Sequence, residues 1–263
     1  MKKLLWIGLL VSFLMPVLST AQSVFDGTWK VDIDKAQLPK KPDVYLLQGD
    51  IYNCKTCAPP YEVKADGQDQ KVTGDPYIDT LSVKILDDRT IEKISKKDGK
   101  TVGTSKSTVS PDGNTLTFVF TDSSATNADP VTGKGESTRV AKGPAGSHAI
   151  SGSWRATKMQ NLSENALLTT FKLEGDTFTM NNPTGQSYTA KLDGTDAPYK
   201  GDPGITSASV RRMGKNTIEE TDKRDGKVIF VARITVASDG KSMTITVTDK
   251  LHGTTSQFPA QKQ

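Results

Sequence analysis

The chain has 263 residues, of which 35% are hydrophobic, with 34 basic and 30 acidic side chains and a formal net charge of +4. The charges are interspersed, and no basic stripe carries aromatic residues, so the composition does not indicate a nucleic-acid-binding face. The length is sufficient for two domains of ordinary small size.

The N-terminus has the pattern of a signal peptide. Lys2 and Lys3 precede an apolar run over residues 4–15, and Ser19-Thr20-Ala21 forms a small-x-small cleavage site. The apolar run is too short for a membrane span, and no later run approaches spanning length. We therefore expect cleavage near Ala21 and a secreted or periplasmic chain without a membrane span, in an oxidising compartment.

One stretch of the chain occurs twice. Tyr61–Asp122 aligns without a gap on Tyr188–Asp249 at an offset of 127, and 25 of the 62 aligned positions are identical. Such self-similarity indicates a duplicated domain. The predicted organisation is a signal peptide over 1–21, a first domain over 22–141, a linker over 142–149 and a second domain over 150–263.

The body of each repeat has the pattern of short strands and tight turns. Strands of the first repeat are predicted near 27–32, 43–48, 50–55, 61–65, 79–86, 90–96, 101–109 and 114–121, with a closing strand near 135–141. Apolar residues that alternate with threonine are typical of half-buried strands, and Asp98-Gly99 predicts a two-residue hairpin. The predicted fold is all-β, with two tandem antiparallel meander β-barrels of about eight strands each. Two β-sandwiches are the alternative.

Each repeat opens on a similar motif, Gly27-Thr28-Trp29 in the first and Gly152-Ser153-Trp154 in the second. This motif resembles the start of the calycins, which include lipocalins, fatty-acid-binding proteins and avidins. In calycins the tryptophan lies on the first strand of an up-and-down barrel and packs on an arginine from the last strand. The resemblance implies that Trp29 packs against Arg139. It also implies that Trp154, with Gln257 in the corresponding place, lacks an arginine partner.

Cys54 and Cys57 are the only cysteines of the chain. A c-type haem site would need a histidine at position 58, where the chain has alanine. A structural zinc site would need two more Cys or His ligands, for which the chain has only His148 and His252. The following Ala58-Pro59-Pro60 does not favour the helix N-terminus of a redox-active pair. A local disulfide in a secreted loop is the preferred interpretation, with redox activity left open. We expect no metal and no cofactor.

The two repeats differ most on one strand. The smaller residues lie in the first repeat, where Gly103, Ser105 and Ser107 stand in place of Phe230, Ala232 and Ile234. If this face points inward, the first barrel has lost two large side chains, and an unused void would cost about 2–5 kcal/mol for each. The candidate ligand-binding residues are Tyr52, Tyr61, Gly103, Ser105 and Ser107. An outward face that meets the other domain is the alternative.

The sequence contains no recognisable catalytic constellation, because neither histidine accompanies a serine or cysteine motif. We therefore expect a non-enzymatic protein, secreted or periplasmic, that binds a small and partly apolar ligand in the first barrel. The alternative is a non-enzymatic envelope or extracellular interaction module, and an enzyme is the third hypothesis.

Overall fold

The computed structural model describes residues 23–125 and 128–263, so the predicted signal peptide and its cleavage site lie outside the described residues. The described chain is all-β and forms two ten-stranded antiparallel sheets, each curled into a nearly closed barrel. The predicted fold class is confirmed, with ten strands in each barrel rather than eight.

The chain begins with strand β1 (Gly27–Val31) and a 3-10 turn, Ile33–Lys35. Barrel one consists of the next ten strands: β2 (Asp43–Gln48), β3 (Ile51–Cys54), β4 (Tyr61–Lys64), β5 (Asp66–Lys71), β6 (Thr80–Asp87), β7 (Thr90–Lys97), β8 (Lys100–Val109), β9 (Thr115–Asp122), β10 (Val131–Lys142) and β11 (Gly152–Gln160). A second 3-10 turn, Glu164–Ala166, leads to barrel two. Barrel two combines β1 with β12 (Leu168–Glu174), β13 (Thr177–Asn181), β14 (Ser187–Lys191), β15 (Asp193–Pro198), β16 (Ser207–Arg212), β17 (Thr217–Arg224), β18 (Lys227–Val236), β19 (Ser242–Asp249) and β20 (Thr254–Lys262).

Strand β5 of the first repeat is not predicted by the sequence pattern. This strand reads Asp-Gly-Gln-Asp-Gln-Lys, is mostly exposed and has no apolar alternation, so the usual strand signal is absent. Only Ala65 separates β5 from β4, and these two strands stand at opposite ends of the strand order of barrel one. The bend at Ala65 therefore brings the two edges of the sheet together and nearly closes the barrel.

Each barrel takes its Gly-x-Trp strand from the other repeat. Strand β1 pairs with β12 and β20 of the second repeat, whereas β11 pairs with β10 and β2 of the first. Barrel one is consequently contiguous over residues 43–160, and barrel two is completed by residues 27–31. The predicted domains, 22–141 and 150–263, therefore each begin with the Gly-x-Trp strand that belongs to the other barrel.

The predicted linker 142–149 does not join the barrels but lies within barrel one, between β10 and β11. Its backbone is tied to that barrel, since Gly143 N–H donates to Ser151 O at 3.2 Å and His148 N–H donates to Leu47 O at 2.9 Å. A short connection of this kind favours antiparallel pairing of the strands that it joins. The chain passes between the barrels instead through residues 32–42 and 161–167.

The glycine of each Gly-x-Trp motif has a backbone requirement. Gly27 and Gly152 have φ angles of +121° and +131°, which disfavour other residues. A Cβ atom at Gly152 would also lie 2.3 Å from Ala141 O of the neighbouring strand. Both tryptophans are buried, and the indole N–H groups of Trp29 and Trp154 each donate a 2.8 Å hydrogen bond to the carbonyl four residues earlier.

The expected pairing of Trp29 with Arg139 is wrong because the first strands are exchanged. Arg139 lies opposite Trp154, with its guanidinium carbon 3.9 Å from the indole centroid. Lys262 is opposite Trp29, with Nζ at 5.4 Å from that ring. Gln257 does not occupy the position opposite a tryptophan, because the β19–β20 loop is shorter than the β9–β10 loop. Each tryptophan thus has a cation from the neighbouring last strand.

The Arg139 guanidinium also holds the connection that precedes β11. It donates to Ser151 O and Ala149 O, each at 2.7 Å, and to Gly113 O. Arg139→Ala should therefore destabilise barrel one by roughly 2–3 kcal/mol, through lost hydrogen bonds and the lost indole contact. Lys262→Ala should cost less than about 1 kcal/mol, because the longer contact to Trp29 is the main interaction lost. Thermal unfolding followed by tryptophan fluorescence measures both, and equal effects would contradict this assignment.

Candidate functional site

Barrel one contains a cavity of about 470 Å³ that opens towards barrel two. Strands β4, β6, β7, β8 and β9 supply its walls, and the loops around Tyr77 and Ser124 supply part of its rim. Gln186 and Asp202 of barrel two complete the rim. The cavity is therefore bounded mainly by barrel one, but both repeats contribute to its mouth.

The predicted site residues lie at or next to this cavity. Tyr61, Gly103 and Ser105 line it, and Ser107 is buried on the same face of β8. Tyr52 is fully buried in the core of barrel one, with its ring centroid 6.3 Å from that of Tyr61. The divergent face of β8 thus points inward, whereas ligand binding by these residues stays a prediction.

The equivalent face of β18 in barrel two carries larger side chains. Phe230 occupies the position of Gly103, Ala232 that of Ser105 and Ile234 that of Ser107. Ala232 and Ile234 are buried, and Ile234 belongs to the hydrophobic core of barrel two. The two equivalent strands therefore differ. Strand β18 contributes large apolar side chains to barrel two, whereas β8 borders open space in barrel one.

Lys93 is the main cavity residue that sequence reasoning missed. It lines the cavity from β7, in register with Val83 on β6 and Ser105 on β8, so its side chain points inward. Its Nζ lies 5.8 Å from the ring centroid of Tyr52 and 6.0 Å from that of Tyr45. Within the described part of the chain, the ammonium group of Lys93 forms no hydrogen bond or ion pair. Burial lowers the pKa of its ammonium, and the charge of nearby Asp43 partly opposes that shift.

The phenols beside Lys93 remain protonated donors at neutral pH. Burial raises the pKa of Tyr61 to about 12, and the pKa of Tyr52 rises well above its ordinary value for the same reason. In residues 23–125 and 128–263, neither hydroxyl has a hydrogen-bond partner. The cavity consequently combines the aromatic ring and neutral hydroxyl of Tyr61 with the cation of Lys93, and the buried Tyr52 lies behind Tyr61.

Barrel two has acidic groups where barrel one has Lys93 and Ser95. Glu220 and Asp222 occupy these positions and are both buried. Burial raises the pKa of both carboxyls, and for Asp222 the negative charge of Glu220 adds to this effect and brings the pKa to about 9. Oδ1 of Asp222 and the hydroxyl of Tyr188 have no hydrogen-bond partner among the described residues. The two barrel interiors therefore have opposite polar character.

A contact between the barrels shapes the rim of the cavity. The hydroxyl of Tyr77 donates to Asp202 Oδ1 at 2.9 Å, and Gln186 Nε2 donates to Asp202 Oδ2 at 2.8 Å. Gly204 leaves the space that the Tyr77 ring uses, because a Cβ atom there would lie 2.1 Å from the hydroxyl. In the sequence alignment Gly204 is the counterpart of Tyr77, so the two repeats are complementary at this contact.

A second depression of about 630 Å³ lies between the barrels. The segment Cys57–Pro60 and Pro42 form one side of this junction groove, and Leu251 and His252 form part of the other. Cys57 is joined to Cys54 in a disulfide, which confirms that prediction. The groove is thus bordered by a cross-linked turn that the second repeat lacks.

Neither metal-binding geometry nor a membrane-crossing helix is present in the described ranges. No group of three or more His, Cys, Asp or Glu side chains in residues 23–125 and 128–263 is placed to hold a metal ion. No helix in the same residues has the length and apolar character needed to cross a membrane. Comparison with known proteins found no matching family model, no matching curated protein and no matching solved structure.

The buried carboxyls of barrel two should make stability depend on pH. The folded chain keeps the Asp222 proton up to about pH 9, whereas an unfolded aspartate releases it near pH 4. Since the folded state binds more protons in this window, stability should fall as pH rises through it, by at most about 1.4 kcal/mol per pH unit for one group. Asp222→Asn should therefore stabilise the chain at pH 8 and have little effect at pH 4.

Urea unfolding at several pH values measures this difference. Glu219→Gln is the matched control, because Glu219 lies on the outward face of the same strand and pairs there with Arg233. An Asp222→Asn variant with the same pH slope as the original chain would contradict the assigned titration.

Proposed function

We propose that the chain is a non-enzymatic binding protein that holds a small, partly apolar ligand in the cavity of barrel one. The observation that carries this proposal is the difference between two equivalent strands. In β8, Gly103 and Ser105 border open space, whereas β18 has Phe230 and Ala232 at the same positions. A void without a use would normally be refilled, because it lowers stability.

The size and lining of the cavity support a small-molecule ligand. Pockets of about 300–1,000 Å³ that combine aromatic walls with a few polar groups are typical of such sites. The cavity of about 470 Å³ falls within this range. Tyr61 and Leu81 offer apolar surface, and Ser95 and Ser105 offer hydroxyl groups. A ligand with both apolar and polar parts therefore fits this lining best.

The similarity to calycins supports the same function. Each barrel has a Gly-x-Trp strand, and a cation from the last strand lies over the tryptophan ring. Calycins of this type hold small ligands inside the barrel, although a shared architecture alone does not fix a function. The disulfide and the signal-peptide pattern favour a secreted or periplasmic location for this binding.

The second candidate function is an interaction module of the envelope or the extracellular space. The junction groove favours it, since four prolines and Leu251 border this depression between the barrels. A module of this kind would use the groove and leave the cavity of barrel one empty. The two functions therefore have different binding sites, the cavity of barrel one for a small ligand and the junction groove for a partner.

Native mass spectrometry of the purified chain after incubation with an extract of its source cells tests the proposal. A small molecule should remain bound to the original chain. The double substitution Gly103→Phe and Ser107→Ile should abolish this uptake, because it restores the side chains of barrel two. A Cβ atom at Gly103 meets nothing closer than 3.6 Å, so the backbone accepts a side chain there.

Lys106→Ile is the matched control, since Lys106 is exposed on the outward face of the same strand. It should bind the small molecule as the original chain does. Circular dichroism should show that both variants retain the β-sheet signal. Undiminished uptake by the folded double variant would contradict a ligand in barrel one.

A further inference from the structure

Lys93 lines the cavity, and no carboxylate among the described residues lies within ion-pair distance of its ammonium group. Burial of a charge is costly unless an opposite charge or several hydrogen bonds compensate for it. Asp43 is the acidic group that acts on Lys93 through its charge, yet the two form no ion pair within 4.0 Å. Thr56 donates instead to Asp43 Oδ1 at 3.3 Å. The cation of Lys93 is therefore available to a group that enters the cavity.

The fold itself does not require a lysine at this position. Barrel two has Glu220 at the equivalent site of β17 and forms the same ten-stranded sheet. Val83, which lies opposite Lys93 in the sheet, is fully buried, so the surroundings are apolar on that side. An apolar residue would avoid the desolvation cost that the lysine incurs. Retention of the charge is thus better explained by a ligand than by packing.

The groups around Lys93 fit one acidic group attached to a flat apolar body. Ser95 and Ser105 line the cavity beside Lys93 and can donate hydrogen bonds to an anion. The rings of Tyr61 and Tyr77 line the cavity, and the ring of Tyr61 is tilted against that of the buried Tyr52. The polar and apolar halves of the lining therefore meet at the lysine.

We propose that the ligand of barrel one is an organic acid whose anionic group pairs with Lys93 and whose flat apolar body lies against the ring of Tyr61. This inference rests on the proposed function of barrel one and specifies the chemical class of its ligand. The single cation of Lys93 balances one negative charge, so the ligand should be a monoanion. An ionised acceptor also strengthens the hydrogen bonds that the neutral hydroxyl groups donate.

Two carboxylates at the rim are held by other contacts. Asp202 accepts hydrogen bonds from Tyr77, Gln186 and the backbone of Gly204. Asp122 accepts a 2.8 Å hydrogen bond from the backbone N–H of Ser124. Both carboxylates at the mouth therefore already accept hydrogen bonds. The ammonium group of Lys93, inside the cavity, can pair with an anion that enters. Cationic ligands would find favourable charge only at the rim.

Two fluorescent probes that differ in one charged group test the proposal. Anilinonaphthalenesulfonate and phenylnaphthylamine carry the same aromatic groups, and only the first has an anionic sulfonate. The original chain should bind the anionic probe at least roughly tenfold more tightly than the neutral one, which is the range expected for one charge-assisted pair. Lys93→Met should remove this preference and leave the affinity for the neutral probe unchanged.

Two further variants make the result specific. Lys93→Arg keeps the charge and should retain part of the preference, and Lys106→Met removes an exposed charge and should retain all of it. An unchanged preference in folded Lys93→Met would overturn the acidic ligand while leaving the proposed function intact. Failure of the original chain to bind either probe, or binding that survives Gly103→Phe with Ser107→Ile, would instead contradict the proposed function itself.

Discussion

The short connection between β10 and β11 is the constraint on which the arrangement of the two repeats depends. Because nine residues join these strands, the second Gly-x-Trp strand pairs with the barrel that precedes it. Strand β1 is then left without a place in barrel one and completes barrel two, where it meets the C-terminal strand β20. Gln263 N–H donates to Thr28 O at 2.9 Å, so the two ends of the described chain are tied together.

This arrangement places unlike interiors in two barrels of the same architecture. Barrel one has lost apolar bulk at Gly103 and gained a cation at Lys93, whereas barrel two has Phe230 and a buried acidic pair at Glu220 and Asp222. Duplication leaves one copy able to maintain a filled core while the other opens a cavity. The hydrogen bond of Tyr77 to Asp202 joins barrel two to the mouth of the cavity in barrel one. Both copies thus contribute to the proposed site, in different ways.

Repetition and alternation in the sequence were sufficient to predict two all-β barrels, and exclusion of other Cys-x-x-Cys sites favoured the disulfide. Whether the divergent face of β8 points inward was left open by the sequence. The exchange of first strands was not predictable, because identical motifs at Trp29 and Trp154 do not specify which last strand each one meets. Strand β5 escaped detection since its polar residues do not alternate. Lys93 could have been noticed, because it shares a face with Ile91 in the alternation of β7, yet a lysine on a strand is more often solvated. Its unpaired state depends on side chains from distant strands, which local sequence does not encode.

The most direct test of this account is the behaviour of residues 38–163 expressed alone. This segment contains all ten strands of barrel one and the cavity residues Tyr61, Lys93 and Ser105, and it lacks only the rim residues that barrel two supplies. It should unfold cooperatively and take up the same small molecule as the whole chain, measured by circular dichroism and native mass spectrometry. A segment over residues 22–141, which lacks β11, should not fold into a stable barrel. Folding and ligand uptake by residues 22–141, with neither seen for residues 38–163, would contradict the account.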